Sequence, residues 1–224
     1  MQRPRPGGCR RADRVADVSD DHYFTARPAS AEDRRLLRVT LAGRDVEVET
    51  AGGIFSPGRV DLGTQVLLRT VPAAPRTGDL LDLGCGWGPV ALTLALDAPQ
   101  AHVWAVDVNE RALDLVARNA RRLGLDNVTA CTPDAVPATT RFAAIWSNPP
   151  IRVGKEALHA MMRRWLPLLA ADASAHLVVQ RNLGADTLHR WLEEHLPEIL
   201  DGRDATVERV ASAKGFRVLE VRAD

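Results

Sequence analysis

Residues 81–89 read LDLGCGWGP, and they place glycines at positions 84, 86 and 88 directly after a short apolar run. Glycine lets a backbone turn sharply and approach a ligand without a Cβ in the way. Pro89 follows the turn, and proline is favoured at the first position of a helix. Because a helix N-terminus favours an anion, we predict a buried strand, a ligand-contacting turn and a helix.

The glycine spacing separates this turn from two common nucleotide loops. A dinucleotide loop reads G-x-G-x-x-G, and its last position would fall on Pro89. The G-x-x-x-x-G-K-[ST] pattern of a P-loop does not match this stretch either. The spacing therefore disfavours binding of a nucleoside triphosphate.

Strand-like and helical patterns alternate on both sides of the turn. AHVWAVDV (101–108), NVTAC (127–131), FAAIWSN (142–148) and SAHLVVQ (174–180) resemble buried strands, and helical spacing separates them. Such alternation predicts a mostly parallel sheet with helices on both faces. Residues 36–56 resemble a hairpin, residues 59–71 a helix, and residues 205–222 two closing strands.

Ligands of such sheets lie beyond the carboxyl ends of the strands. Gly84, Asp107, Asp134 and Asn148 each follow a strand-like run, so we expect all of them on one edge. Asp107 suits the two hydroxyls of a ribose. Asp134 suits an adenine amino group, although an aspartate after a proline is also ordinary turn chemistry.

The stretch AAIWSNPPIRVGK (143–155) ends an apolar run on an amide and two prolines. Prolines donate no backbone hydrogen bond, and Pro149 favours an extended conformation at Asn148. The result is a stiff corner that holds one amide side chain in a defined direction. Such a corner either ends a strand or presents hydrogen-bond acceptors to a substrate.

Composition narrows the class of protein. The 224 residues suit one sizeable domain, and 29 basic residues balance 29 acidic ones, so no global basic field indicates nucleic acid. The apolar runs fall short of the roughly 20 residues that cross a membrane. Three scattered cysteines favour a reducing, cytoplasmic setting without a disulfide framework or a metal site.

Together, LDLGCGWGP, VDVN (106–109), PDAV (133–136) and SNPPI (147–151) resemble the class I S-adenosylmethionine-dependent methyltransferases. HYF (22–24) and TAGGIFSPGRVDLGT (50–64) resemble the lead-in of small-domain methyltransferases that modify guanine N2 in small-subunit ribosomal RNA. The resemblance implies an α/β, doubly wound, seven-stranded, mostly parallel Rossmann-like sheet with an antiparallel C-terminal strand. Composition predicts a disordered basic tail over residues 1–20, with an RNA-contacting basic arm as the alternative. The hairpin and helix patterns predict a small N-terminal β-rich extension packed on the core (21–76), followed by the methyltransferase domain (77–224) that the resemblance implies.

The same resemblance implies a cofactor, S-adenosyl-L-methionine, and residues that bind it. The glycines of the turn would cradle its methionine end, Asp107 its ribose, and Asp134 with the Ala135 backbone its adenine. The full cofactor set that the resemblance implies is Phe55, Thr64, Asp82, Gly84, Cys85, Gly86, Gly88, Asp107, Val108, Asp134, Ala135 and Asn148.

For catalysis, the resemblance implies that Asn148 and the Pro149 carbonyl accept hydrogen bonds from a target amine on a corner stiffened by Pro150. Ile151 stands where many relatives have an aromatic ring, which weakens the expectation that a base stacks there. Arg152 and Lys155 are expected to contact substrate phosphates. The expected reaction is in-line methyl transfer with no covalent enzyme intermediate and no metal.

The function expected from these features is methylation of guanine N2 in small-subunit ribosomal RNA, free or in an assembly particle, away from membranes. A glutamine amide, a DNA adenine and a small-molecule amine are alternative targets. A catalytically silent cofactor-binding assembly partner is a third reading, which the complete set of glycines, Asp107 and Asn148 disfavours. The sequence leaves the oligomeric state open.

Overall fold

The computed structural model describes residues 28–150 and 154–224. The predictions made for residues 1–20, for HYF (22–24), and for Ile151 and Arg152 therefore lie outside the described residues. The strands are β1 (Arg34–Leu41), β2 (Arg44–Ala51), β3 (Asp79–Leu83), β4 (His102–Val106), β5 (Val128–Cys131), β6 (Phe142–Ser147), β7 (Leu169–Gln180), β8 (Ala205–Ala213) and β9 (Phe216–Ala223). The α-helices are α1 (Leu62–Thr70), α2 (Pro89–Asp97), α3 (Glu110–Arg122), α4 (Lys155–Trp165) and α5 (Ala185–Ile199).

Seven of the strands form one sheet in the order β5-β4-β3-β6-β7-β9-β8. The pairs from β5 to β7 are parallel, whereas β9 runs antiparallel to both β7 and β8. The fold class predicted from the sequence is therefore confirmed, including the antiparallel strand near the C-terminus.

Both faces of the sheet are buried, as the continuous apolar runs require. On one face, Leu81 and Ile145 join a core with Trp165 of α4. On the other face, Leu80 and Trp146 join a second core under α1 and α2. Neighbouring residues of one strand thus enter opposite cores, because side chains alternate along a strand.

The N-terminal hairpin β1–β2 packs on the sheet domain through α3. Its turn has positive φ at Ala42 (50°) and Gly43 (70°), the conformation of a tight type I′ hairpin. The fully buried Asn119 of α3 joins the parts, because its Oδ1 accepts from the Glu49 N–H at 2.6 Å. Its Nδ2 donates to the carbonyls of Glu49 at 3.0 Å and Trp87 at 3.1 Å.

None of the helices in these two described ranges has the length and apolar character needed to cross a membrane.

We expect Asn119→Ala to lower the free energy of unfolding by about 2–4 kcal/mol, because it leaves buried backbone groups of the hairpin and of the glycine turn without partners. Chemical denaturation measures the change, with the exposed Gln100→Ala as control. Equal stability of the two variants would show that the amide does not hold the hairpin.

Candidate active site

The parallel register brings three strand ends to one level. Leu83, the last residue of β3, pairs with Val106 of β4 and Ser147 of β6. The Ser147 hydroxyl also donates to the Leu83 carbonyl at 2.7 Å. Residues that follow β3 and β6 border a cleft, whereas Asp107, which follows β4, is not among its lining residues. The cleft is lined by Phe55, Ser56, Asp61, Thr64, Asp82, Gly84, Cys85, Gly86, Trp87, Pro89, Val90 and Asn148.

The glycine turn needs glycine for two different reasons. Gly84, Gly86 and Gly88 have φ of 78°, 54° and 97°, a region that L-residues with a Cβ rarely adopt. A Cβ at Gly88 would lie 3.0 Å from Val116 Cγ2, so this glycine lets α3 approach the turn. At Gly86 a Cβ would meet no heavy atom of the described residues within 4 Å, so the backbone there faces open space.

Asp107 ties the end of β4 to this turn. Its Oδ2 accepts from the Gly86 N–H at 3.0 Å, and its Oδ1 accepts from the Asn109 N–H at 2.9 Å. Burial raises the pKa of the carboxyl above its ordinary value, while the N–H groups of Asn109, Gly86 and Val108 act in the opposite direction. A carboxylate has about four acceptor sites, so these N–H groups leave capacity that would suit a hydroxyl of a ribose.

Asp82 places a second carboxyl at the cleft. Its side chain is 1% exposed, and Oδ2 accepts from the Ala91 N–H in the first turn of α2 at 2.8 Å. Burial raises the pKa of Asp82 to about 8. A positively charged ligand group in the cleft would favour the ionised form of this carboxyl, because opposite charges lower the pKa of an acid.

The corner Asn148–Pro150 lies against the glycine turn. A Cβ at Gly84 would stand 3.8 Å from Pro150 Cδ and 4.0 Å from the Asn148 carbonyl oxygen. The Asn148 side chain lines the cleft, and its Nδ2 donates to Asp61 Oδ2 and to Thr64 Oγ1, both at 3.0 Å. Of the described corner residues, Asn148 borders the same cleft as the turn, whereas Pro149 and Pro150 are not among its lining residues and Pro149 is buried.

Asp61 is a cleft residue that the sequence reasoning missed. It caps α1, because its Oδ2 accepts from the N–H groups of Gly63 at 2.7 Å and Thr64 at 3.4 Å. An aspartate before a helical segment is a recognisable capping signal. That signal does not indicate the contact with Asn148, which lies 87 positions further along the chain.

The remaining predicted residues occupy different positions. Phe55 is 44% exposed and lines the cleft, Cys85 and Thr64 are buried at its wall, and Val108 is 66% exposed beside Asp107. The Asp134 carboxylate lies outside the cleft lining, is 90% exposed, and accepts from Arg164 Nη2 at 2.8 Å. Ala135 and Lys155 are exposed. The roles given to these residues stay predictions.

The cleft suits the charges of S-adenosylmethionine. The buried carboxyl of Asp82 lines the cleft and would match a cationic group, and the open backbone at Gly86 leaves room for a chain. The carboxylate of Asp107 is not among the lining residues, but its hydrogen bond to the Gly86 N–H holds it beside the turn, where it would match a diol. This combination at the carboxyl ends of a doubly wound sheet fits a Rossmann-like methyltransferase with S-adenosylmethionine as cofactor.

Comparison with known proteins agrees with this class. A family model described as methyltransferase small domain matches residues 45–220. The uncharacterized protein YbxB of Bacillus subtilis is 31% identical over 205 residues, which cover 90% of this chain and 98% of that protein. Ribosomal RNA small subunit methyltransferase C of Stutzerimonas stutzeri is 31% identical over 188 residues, or 82% of this chain and 53% of that protein.

A solved structure shares the fold. The T. thermophilus 16S rRNA N2 methyltransferase RsmC, in complex with AdoMet and guanosine, superposes with a TM-score of 0.71 at 23% identity. The match covers 87% of this chain and 52% of that one. The chain belongs to the methyltransferase small domain family, and it spans about half the length of the relatives named as RNA methyltransferases.

We expect Asp107→Ala to raise the dissociation constant for S-adenosylmethionine about 10- to 100-fold, because a hydrogen bond to a charged group contributes about 1.5–3 kcal/mol. Isothermal titration calorimetry measures the constant, and the exposed Asp97→Ala is the control. Unchanged affinity in a folded Asp107→Ala protein would remove Asp107 from the cofactor site.

The raised pKa of Asp82 predicts a pH-dependent stability. In the unfolded chain this carboxyl ionises near its ordinary value of 3.8, whereas in the folded protein it keeps its proton up to about pH 8. The folded state therefore binds more protons in this window, and its stability falls as pH rises, by at most about 1.4 kcal/mol per pH unit.

We expect Asp82→Asn to remove this component, so that the free energy of unfolding without cofactor changes less between about pH 5 and about pH 7.5 than in the wild type. Urea denaturation at both pH values tests it, with the exposed Asp97→Asn as control. Identical pH slopes in the wild type and Asp82→Asn would show that Asp82 ionises normally.

Proposed function

We propose that this protein transfers a methyl group to an exocyclic amine of RNA, and specifically to guanine N2 of small-subunit ribosomal RNA. The observation that carries the proposal is the placement of the Asn148 side chain in the same cleft as the glycine turn. The names of the relatives support the RNA target. A cytoplasmic location and an RNA or assembly-particle substrate are parts of the same proposal.

An aromatic amine is a poor nucleophile because its lone pair is delocalised into the ring. The Asn148 Oδ1 and the Pro149 carbonyl would accept its two N–H groups and turn the nitrogen lone pair towards the cofactor side of the cleft. S-adenosylmethionine supplies a methyl group on a positively charged sulfur. Orientation of this kind can account for roughly 7–11 kcal/mol of a reaction barrier.

Exposed cations at the starts of α1 and α4 and near the carboxyl ends of β7 and β8 support a polyanionic substrate. Arg59 precedes α1, Lys155 begins α4, Arg181 follows β7, and Lys214 lies in the β8–β9 turn. The carboxyl ends of β7 and β8 share the cleft edge, and the Arg181 N–H donates to the Gly215 carbonyl at 2.8 Å. Such cations would contact phosphates, which dominate the affinity of nucleic-acid complexes.

We also propose the domain organisation expected from the sequence. The segment 21–76 would serve as an extension that supplies Phe55, Asp61 and Thr64 to the cleft wall, and residues 77–224 would form the methyltransferase domain. The contacts of Asn119 with Glu49 and Trp87 support a rigid connection between the two parts.

The test uses labelled S-adenosylmethionine with small ribosomal subunits, total RNA, total protein and metabolite extracts from cells that lack this protein. We expect label in RNA, at guanine N2 of a single nucleotide in the small-subunit RNA. Asn148→Ala should lower the turnover number about 100-fold or more, as loss of a preorganised catalytic hydrogen bond does. Gln100→Ala should behave as the wild type.

Label in protein or in a small molecule would overturn the RNA assignment but keep the amine chemistry. Cofactor binding without transfer to any extract would contradict an enzymatic role. Turnover of Asn148→Ala within a few-fold of the wild type would contradict the role of the corner.

A further inference from the structure

We propose that Asp61 and Thr64 are positioning residues that fix the polarity of the Asn148 amide, so that the corner accepts hydrogen bonds from a substrate and donates none. This inference rests on the proposed function, because it concerns how the corner selects an amine. Neither residue needs to contact the substrate for this role.

The carboxylate sets the orientation of the amide. An asparagine side chain presents an oxygen on one side and an NH₂ group on the other, and rotation by half a turn exchanges them. An ionised aspartate only accepts hydrogen bonds. Because Asp61 Oδ2 lies 3.0 Å from the amide, the NH₂ group must face it, and Oδ1 must face the opposite way.

Thr64 binds the second hydrogen of the Asn148 amide. Its hydroxyl oxygen accepts a second hydrogen bond from Asn148 Nδ2, also at 3.0 Å. An amide NH₂ carries two hydrogens, and these two partners occupy both. The side chain of Asn148 therefore has an acceptor left for a substrate but no donor.

The two prolines after Asn148 likewise supply hydrogen-bond acceptors and no donors. Pro149 and Pro150 have no backbone N–H and contribute only carbonyl oxygens. Beyond Asn148 Oδ1, the described end of the corner thus offers acceptors alone. A substrate group that accepts hydrogen bonds, such as guanine O6 or N7, would therefore meet no free donor on the Asn148 side chain or on the prolines. An exocyclic NH₂ group could instead donate to Asn148 Oδ1.

Asp61 is itself held rigidly. The N–H groups of Gly63 and Thr64, the second and third residues of α1, direct its Oδ2, and Thr64 is 3% exposed. The helix start is fixed against β9, since a Cβ at Gly63 would lie only 2.9 Å from Phe216 Cε1. The amide of Asn148 is therefore oriented by the packing of α1 on the sheet.

Two substitutions each remove one hydrogen bond that orients the Asn148 amide and preserve the fold. Asp61→Ser keeps a good helix cap, but its shorter side chain loses the contact with Asn148. Thr64→Val keeps the shape of the side chain and removes the acceptor. We expect each to lower the turnover number about 10- to 100-fold. In Asp61→Ser, which changes a residue outside the predicted cofactor set, the dissociation constant for S-adenosylmethionine should stay within two-fold of the wild type. The exposed Asp126→Ser is the matched control.

Exchanging the amide and the carboxylate between positions 61 and 148 separates the effect of the amide's orientation from the effect of side-chain packing. Asn148→Asp alone opposes two carboxylates and should abolish most activity. The double variant Asp61→Asn with Asn148→Asp restores one NH₂ donor between two side chains and still presents a carboxylate oxygen to the substrate. We expect it to recover at least about 10-fold over Asn148→Asp. A purely structural role for Asp61 would give no recovery.

Nuclear magnetic resonance gives a reading that does not depend on activity. The two side-chain N–H signals of Asn148, identified by their loss in Asn148→Asp, should exchange slowly with solvent and move in Asp61→Ser. Failure of the RNA proposal would appear as a wild type that labels no RNA, and the same variant ratios would then be measured on the amine that it does label. Wild-type turnover in Asp61→Ser and Thr64→Val, or no recovery in the double variant, would overturn the inference.

Discussion

The active cleft depends on the parallel pairing of β3 with β4 and β6. This pairing ends the three strands at Leu83, Val106 and Ser147 in one register, so that the next residues meet at one edge of the sheet. The glycine turn, Asp107 and the Asn148 corner are each local features of a strand end. They form a site only because the sheet aligns those ends, and a shift of one strand would separate the amide from the glycine turn.

Aspartates affect the electrostatics of the cleft at two places. Asp82 and Asp107 place partly or fully buried carboxyl groups beside the glycine turn, and the proposed site would use them for the cationic and hydroxyl groups of the cofactor. Asp61 acts at the outer wall, where it directs an amide. Aspartates therefore set the electrostatics of both the cofactor side and the corner, although the chain as a whole has no net charge.

The sequence predicted those features of the fold that depend on local patterns of residues. The strand before Gly84 and the helix that begins at Pro89 each depend on a few neighbouring residues, and the alternation of strands and helices predicted the sheet that aligns the strand ends. Contacts between distant residues could not be predicted in this way. The bonds from Asn148 to Asp61 and Thr64, and the ion pair of Asp134 with Arg164, join segments that are far apart in the sequence. The raised pKa of Asp82 depends on burial, which a single sequence does not reveal.

The central claim is that a target NH₂ is held by acceptors of the corner next to the bound cofactor. A crystal structure with guanosine and a non-reactive analogue of S-adenosylmethionine tests it most directly. We predict that Asn148 Oδ1 and the Pro149 carbonyl oxygen lie within about 3.2 Å of the guanine N2 atom, with Asn148 Nδ2 still on Asp61. Guanosine bound with its N2 away from Asn148, or an amide turned to donate to the base, would contradict the account.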